Sequence, residues 1–271
     1  MPGCFIDTTV LVHAARRDEP MYSQARRFAE ANLPALLADY ALRELFAGVI
    51  QILCDAHNRV LAADNAAEAT ASILRLASFA ARTSVAKAVA ISDALSRALG
   101  GAAPRTPMDM KREVLQDLMV SAARLWRNAQ RVQFFEQTQP LSCFGKGDIA
   151  IDAATSALRG PGDSFGCLRK ERCAAALYMF EHKEDIGRLI EALHPDKLSP
   201  VLANKQESKS RRKALKELVS RGPKDFRKNY CRALGDAYFA LMCPPGSIVL
   251  STNLQDYDVL CGALNKEVRT P

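Results

Sequence analysis

The chain has 271 residues, 48% of them hydrophobic and 25% charged, with a formal net charge of +7. That length can bury one large core or two smaller ones, and no apolar run approaches the ~20 residues of a membrane-spanning helix. With no secretory signal pattern at the N-terminus, membrane insertion and export are set aside and a cytoplasmic location is expected.

The first 58 residues read as strand, helix, strand, helix. Residues 3–6 form a short strand, 21–32 a helix closed by Pro34, 36–38 a second strand, and 40 to about 58 a helix with Leu42, Leu45, Phe46, Val49, Ile50 and Leu53 at helical spacing. Between Val49 and Leu99 there is neither Gly nor Pro, and Ala dominates, which permits helix throughout. Asn65 and Glu68 have capping-box spacing, and Thr83-Ser84 is a further candidate helix start.

After the linker "GGAAPRTP", Thr106 as cap with Pro107 and Asp109 behind it opens a helix expected to reach about residue 137, with Trp126 in the core. Further helices are expected at about 148–159, 166–192 with a break, and 206–220, and no strand between 59 and 223. The segment 247–251, "SIVLS", reads as a buried strand, followed by the turn "TNLQDYD" and the closing stretch "VLCGALNKEV". The pattern is α/β: a core with a short central parallel sheet, in parts 1–58 and 224–271, interrupted by a large all-helical insertion, 59–223.

Eight cysteines, at 4, 54, 143, 167, 173, 231, 243 and 261, lack CxxC pairs and framework spacing, which predicts reduced thiols. Charge is concentrated: residues 205–228 hold ten Lys or Arg against three acids, a local +7 equal to the whole excess. Such a block is an electrostatic footprint for phosphate backbones. Its candidate contacts are Arg211, Arg212, Lys213, Lys216, Arg221, Lys224, Arg227 and Lys228, while the plain alternative is a solvated helix face. Phe226 is the one aromatic there for base stacking.

In a parallel α/β sheet, sites form beyond the carboxyl ends of the strands. Asp7 follows the first strand, Thr252 to Asp256 follow the last, and Glu44 sits one turn into the helix after the second strand, with Gly48 keeping its face uncrowded. Asp236 joins them if Gly235 marks the start of its helix. Carboxylates gathered without a compensating cation are costly, so a divalent Mg²⁺ or Mn²⁺ is the natural occupant. Each acid also has a structural reading: Asp7 as a helix cap, Glu44 paired with Arg43, Asp236 paired with Arg232 on one helix, and Asp256 or Asp258 as turn residues.

These stretches resemble a family. "FIDTTVLV" is similar to the opening "DTNVLV" of PIN-domain ribonucleases, "ALREL" to their "TLAEL" helix, "GDAYFALM" to their third acidic motif, and "IVLSTNLQDYDVL" to their terminal "LVTRNxxDF". The intervals, 37 residues from Asp7 to Glu44 and 17 from Asp236 to Asn253, are close to those of small VapC-type toxins. The resemblance implies a PIN-like three-layer core and a metal-dependent endonuclease acting on RNA or single-stranded DNA. It further implies Asp7, Glu44 and Asp236 as metal ligands, and Thr8, Thr252 and Asn253 as orienting residues. Thr9 stands where Asn is usual, and Asn253 where many members carry a fourth acid, which makes Asp256 the alternative fourth catalytic carboxylate.

The candidate partners are RNA or single-stranded DNA, an antitoxin or other protein, and a second copy of the chain, with no membrane. A toxin role would show as growth arrest on expression. The alternatives are a catalytically silent PIN-like RNA-binding module and a protein-interaction scaffold. A zinc site from Cys167, Cys173, His182 and His194 misses the usual ligand spacing, and no Walker A, GxGxxG or GxSxG sequence is present.

Overall fold

The structure is a computed structural model that describes residues 3–17, 20–83, 85–100, 106–132, 136–137, 148–160, 173–198, 205–223 and 230–271. In chain order, β1 (Cys4–Ile6) leads through α1 (Thr8–Arg16) and α2 (Met21–Ala31) to β2 (Ala35–Leu37). Next, α3 (Asp39–Leu45) passes through a π-helical stretch, Phe46–Ile50, into α4 (Gln51–Ala62). Three long helices follow: α5 (Ala66–Thr83), α6 (Val85–Leu99) and α7 (Pro107–Gln130). Short strands β3 (Glu136–Gln137), β4 (Ala150–Ile151) and β5 (Leu158–Arg159) precede α8 (Ala174–Glu181), α9 (Lys183–Ala192) and α10 (Lys205–Arg221). The chain closes with α11 (Tyr230–Met242), β6 (Ile248–Leu250), α12 (Leu254–Ala263) and β7 (Glu267–Arg269).

It divides into two compact units. One comprises Met1–Leu42, Val132–Phe144 and Cys167–Pro271; the other comprises Arg43–Arg131 and Gly145–Gly166. The helices α8 to α10, inside the segment expected to be inserted, therefore belong to the unit that holds the sheet.

That unit is built on five parallel strands in the order β3-β2-β1-β6-β7. β1 is central, with Cys4 level with Ala35 on one side and Ile248 on the other. Both β1, "CFI", and β6, "IVL", are buried at every position, as strands covered on two faces must be. From β1 the chain winds first towards β2 and β3, then returns to the other side through β6 to β7. The β1–β2 connection carries α1 and α2, and the β6–β7 connection carries α12. Phe5 packs against Phe239 at 4.5 Å, and Phe239 against Tyr257 at 5.8 Å. Gly3 is sterically required, because a Cβ there would lie 2.8 Å from the carbonyl oxygen of Pro34.

The second unit is mostly helical, with one short hairpin, β4–β5. Its core is formed by α4 to α7, with Trp126 1% exposed and set edge-on against Phe46 at 4.9 Å. Thr106 caps α7 by accepting from Asp109 N while the Asp109 carboxylate accepts from Thr106 N, the reciprocal arrangement its sequence predicts. Asn65 and Glu68 likewise cap α5, with Glu68 Oε2 taking the N–H of Asp64.

Several expectations are corrected. Strands do occur between 59 and 223: β3 extends the parallel sheet, and β4 and β5 form an antiparallel hairpin where a helix was expected at about 148–159. Asp152 is the cause. Its Oδ1 accepts from the N–H groups of Ala154 and Thr155 and from Thr155 Oγ1, and Ser156 adopts φ 57°, which ends any helix. Helix α7 stops at Gln130 rather than near 137. Gly235 lies inside α11, not at its start. A Cβ on Gly48 would meet only Lys87 Cε, at an ordinary 3.6 Å, so no crowding demands that glycine.

Candidate active site at the carboxyl edge of the sheet

The strand order reverses between β1 and β6, and the residues just beyond those two strands meet. Asp7 follows β1 directly and caps α1, its Oδ2 accepting from Thr9 N at 3.3 Å and from Thr9 Oγ1 at 2.7 Å. The same oxygen accepts from Ser251 Oγ, at the end of β6, at 2.7 Å. Tyr257 Oη, from α12, donates to Asp7 Oδ1 at 2.8 Å. Asp7 is 3% exposed, and with four donors on its two oxygens it is a satisfied, fixed carboxylate. The capping role and the site role thus fall on one residue.

The β6–α12 turn is stitched to the same place. Thr252 N donates to Thr9 Oγ1 at 3.1 Å, and Asn253 N donates to Ser251 Oγ at 2.9 Å. Asn253 Nδ2 donates to Asp256 Oδ2 at 2.7 Å, aiming that carboxylate from the first turn of α12. Thr8 opens α1 and is half-buried.

Asp236 comes from the middle of α11. Its side chain keeps 23% exposure, yet its pKa is pushed up to about 6, first by desolvation and then by the charges of Asp7, Asp256 and Glu207, with Arg211 opposing. Glu207, Asp236 and Asp256 each place a carboxylate oxygen within 4.8 Å of the others. Glu207 enters from α10, and so does Arg211, whose side chain is 2% exposed. The Arg211 guanidinium donates through Nη2 to Asp236 Oδ2, and its Nη1 lies 3.9 Å from Asp256 Oδ1.

The expected ligand trio of Asp7, Glu44 and Asp236 is therefore not the group whose oxygens converge. Asp7 is close enough to raise the pKa of Asp236, but its own oxygens are engaged by hydroxyl and amide donors. Glu44 is half-buried near the end of α3, just past the point where the chain leaves the first unit. Asp236 pairs with Arg211, from another helix, where Arg232 had been the sequence candidate.

The basic segment divides. Arg211 is buried on the acids rather than presented to solvent. Arg212 is half-buried and donates to the carbonyl of Ile190. Lys209, Lys213, Lys216 and Arg221 are exposed on α10, and Lys224, Arg227 and Lys228 lie outside the described residues.

Ser251, Tyr257 and Glu207 escaped the sequence reading, and Arg211, expected among the phosphate contacts, lies on the acids instead. Ser251 and Tyr257 are of types too common to stand out, whereas the i, i+4 spacing of Glu207 and Arg211 is a usable signal hidden inside a block counted by its net charge. Comparisons with protein families, with curated proteins and with solved structures gave no match.

The donor set suits a hard divalent cation. Three carboxylates from three helices converge within 4.8 Å, and burial, followed by the like charges of Asp7, Asp256 and Glu207, raises the pKa of Asp236 despite an arginine at contact distance. Among the described residues no helix is long and apolar enough to cross a membrane.

Proposed function

We propose that the chain is a metal-dependent endoribonuclease with a PIN-like core, hydrolysing phosphodiester bonds at the carboxylate cluster where the strand order reverses. One observation carries the reading: Glu207, Asp236 and Asp256 bring ligand oxygens within 4.8 Å of one another, beside the buried Asp7. Ligand sites of parallel sheets form at this edge, where the chain leaves neighbouring strands in opposite directions.

Asp236, Asp256 and Glu207 would hold Mg²⁺ or Mn²⁺, which when bound supplies an activated water and charge for the leaving oxygen. Asp7 adds negative charge from a fixed position, since Ser251, Tyr257 and Thr9 leave it no rotational freedom. Asn253 orients Asp256, and the turn carrying Thr252 is held to α1 through Thr9. The exposed Lys209, Lys213, Lys216 and Arg221 give α10 a cationic face for a phosphate backbone.

The test is cleavage of a panel of tRNA, rRNA and single-stranded DNA with Mn²⁺ or Mg²⁺, comparing the wild type with Asp236→Asn and Asp256→Asn. Loss of a ligand worth several kcal/mol of transition-state stabilisation lowers the rate on the order of 10²-fold or more. Cutting that survives both substitutions overturns the reading. A second reading, a silent RNA-binding module, draws on Arg211 already neutralising the acids. It predicts salt-sensitive RNA binding, equal in wild type and mutants, with no cutting.

A further inference from the structure

Arg211 is the feature the nuclease reading does not use. It comes from a helix on which Lys209, Lys213, Lys216 and Arg221 are exposed, yet it is 2% exposed and directed at two carboxylates from two other helices. Guanidinium is a planar fork that cannot lose its proton, so one such group can bridge two acids that would otherwise repel. The fit is incomplete: Arg211 Nε is buried without a hydrogen-bond partner among the described residues, so the contact leaves a desolvated donor unsatisfied. A purely structural ion pair would be expected to satisfy its donors, whereas a displaceable one need not.

Glu207 sits one turn before Arg211 on the same helix, and its carboxylate already lies within 4.8 Å of those of Asp236 and Asp256. Ala214, Leu215 and Leu218 anchor α10 in the apolar core, so side chains can rearrange while the helix stays docked.

We propose that Arg211 is a built-in counter-ion that occupies the carboxylate cluster in the metal-free protein and has to be displaced by the divalent cation, with Glu207 of the same helix then serving as a ligand. The inference rests on the proposed metal site and adds its regulation. Metal entry is a competition between two cations for Asp236 and Asp256. Helix α10 contributes the resting cation and, one turn away, an additional carboxylate. Since Arg211 swings out towards the exposed cationic face of α10, occupation of the site by metal also frees a guanidinium for a phosphate of the substrate.

The experiment is a Mn²⁺ titration of the full chain, followed by calorimetry and by the electron paramagnetic resonance signal of free Mn²⁺, on the wild type, Arg211→Gln and Glu207→Gln. Removing the competing charge tightens Mn²⁺ binding about tenfold or more in Arg211→Gln, and Glu207→Gln weakens it. Equal or weaker Mn²⁺ affinity in a folded Arg211→Gln overturns the proposal. Should that variant fail to fold, Arg211→Lys replaces it. A single ammonium cannot bridge both acids, so affinity still rises, and no rise overturns the idea. Cleavage by the same samples separates the two readings. Tighter Mn²⁺ binding in Arg211→Gln with no cutting by any variant keeps the internal counter-ion and removes the nuclease. Cutting by the wild type with unaltered Mn²⁺ affinity in Arg211→Gln does the reverse.

Discussion

Individual residues carry the site through burial more than through type. Asp7 and Asp256 were legible because acids directly after strands, or in the first helix turn beyond them, fall at a predictable edge of a parallel sheet, whereas Asp236, in the middle of α11, was singled out by the family resemblance. Glu207 and Arg211 were not, because net charge adds over a segment and conceals which helix face turns inward. The same logic governs His57, buried in the second unit with Nδ1 3.1 Å from Asn58 Oδ1. Desolvation lowers its pKa below the ordinary histidine value, only partly offset by the hydrogen bond to Asn58. The unfolded chain therefore takes up this proton first as pH falls. The stabilisation that His57 contributes as a neutral group is complete above about pH 6.5 and is lost as pH falls from there towards the folded pKa. Urea melts at pH 7.5 and pH 5 should accordingly show a larger stability advantage of wild type over His57→Gln at the higher pH. An equal difference at the two pH values would show that His57 does not titrate as its burial requires.

At the scale of elements, helices were more legible than strands because their signals are longer and better punctuated. The twenty-four residues of α7 begin where Thr106, Pro107 and Asp109 say they should, and the reciprocal cap explains why. Thr106→Ala removes the acceptor for Asp109 N and should cost about 1 kcal/mol, read as a lower denaturation midpoint with an unchanged slope. A midpoint unmoved by the substitution would mean that α7 starts elsewhere. The two-residue strands offered no such pattern. β4 and β5 are specified by the Asp152 turn and by Asn58, whose side chain donates to Leu158 O at 3.1 Å and accepts from Leu158 N at 2.8 Å, a hundred residues away. No periodicity in "AIDAATSALR" could announce a partner supplied by another helix.

For the whole molecule, connectivity decides how the fold is reached. In the second unit, α4 to α7 are successive helices packed on one another, a set of local contacts that closes only short loops. In the first unit, β1 pairs with β6 with Cys4 level with Ile248, so the centre of the sheet forms only when the two ends of the chain meet. Folding rate falls as contacts become less local, and the entropy of closing so long a loop is met before the β1–β6 hydrogen bonds contribute. Trp126, the single tryptophan, is buried in α7 against Phe46 and reports on the helical unit. After a jump from denaturant, its fluorescence should therefore recover in a faster phase than the near-ultraviolet signal of the clustered Tyr40, Tyr178 and Tyr238 of the first unit. Leu118→Ala, in the helical core, should slow the Trp126 phase and leave the rate of the later one nearly unchanged. A single rate shared by all probes would mean that the helical unit has no stability until the sheet is closed.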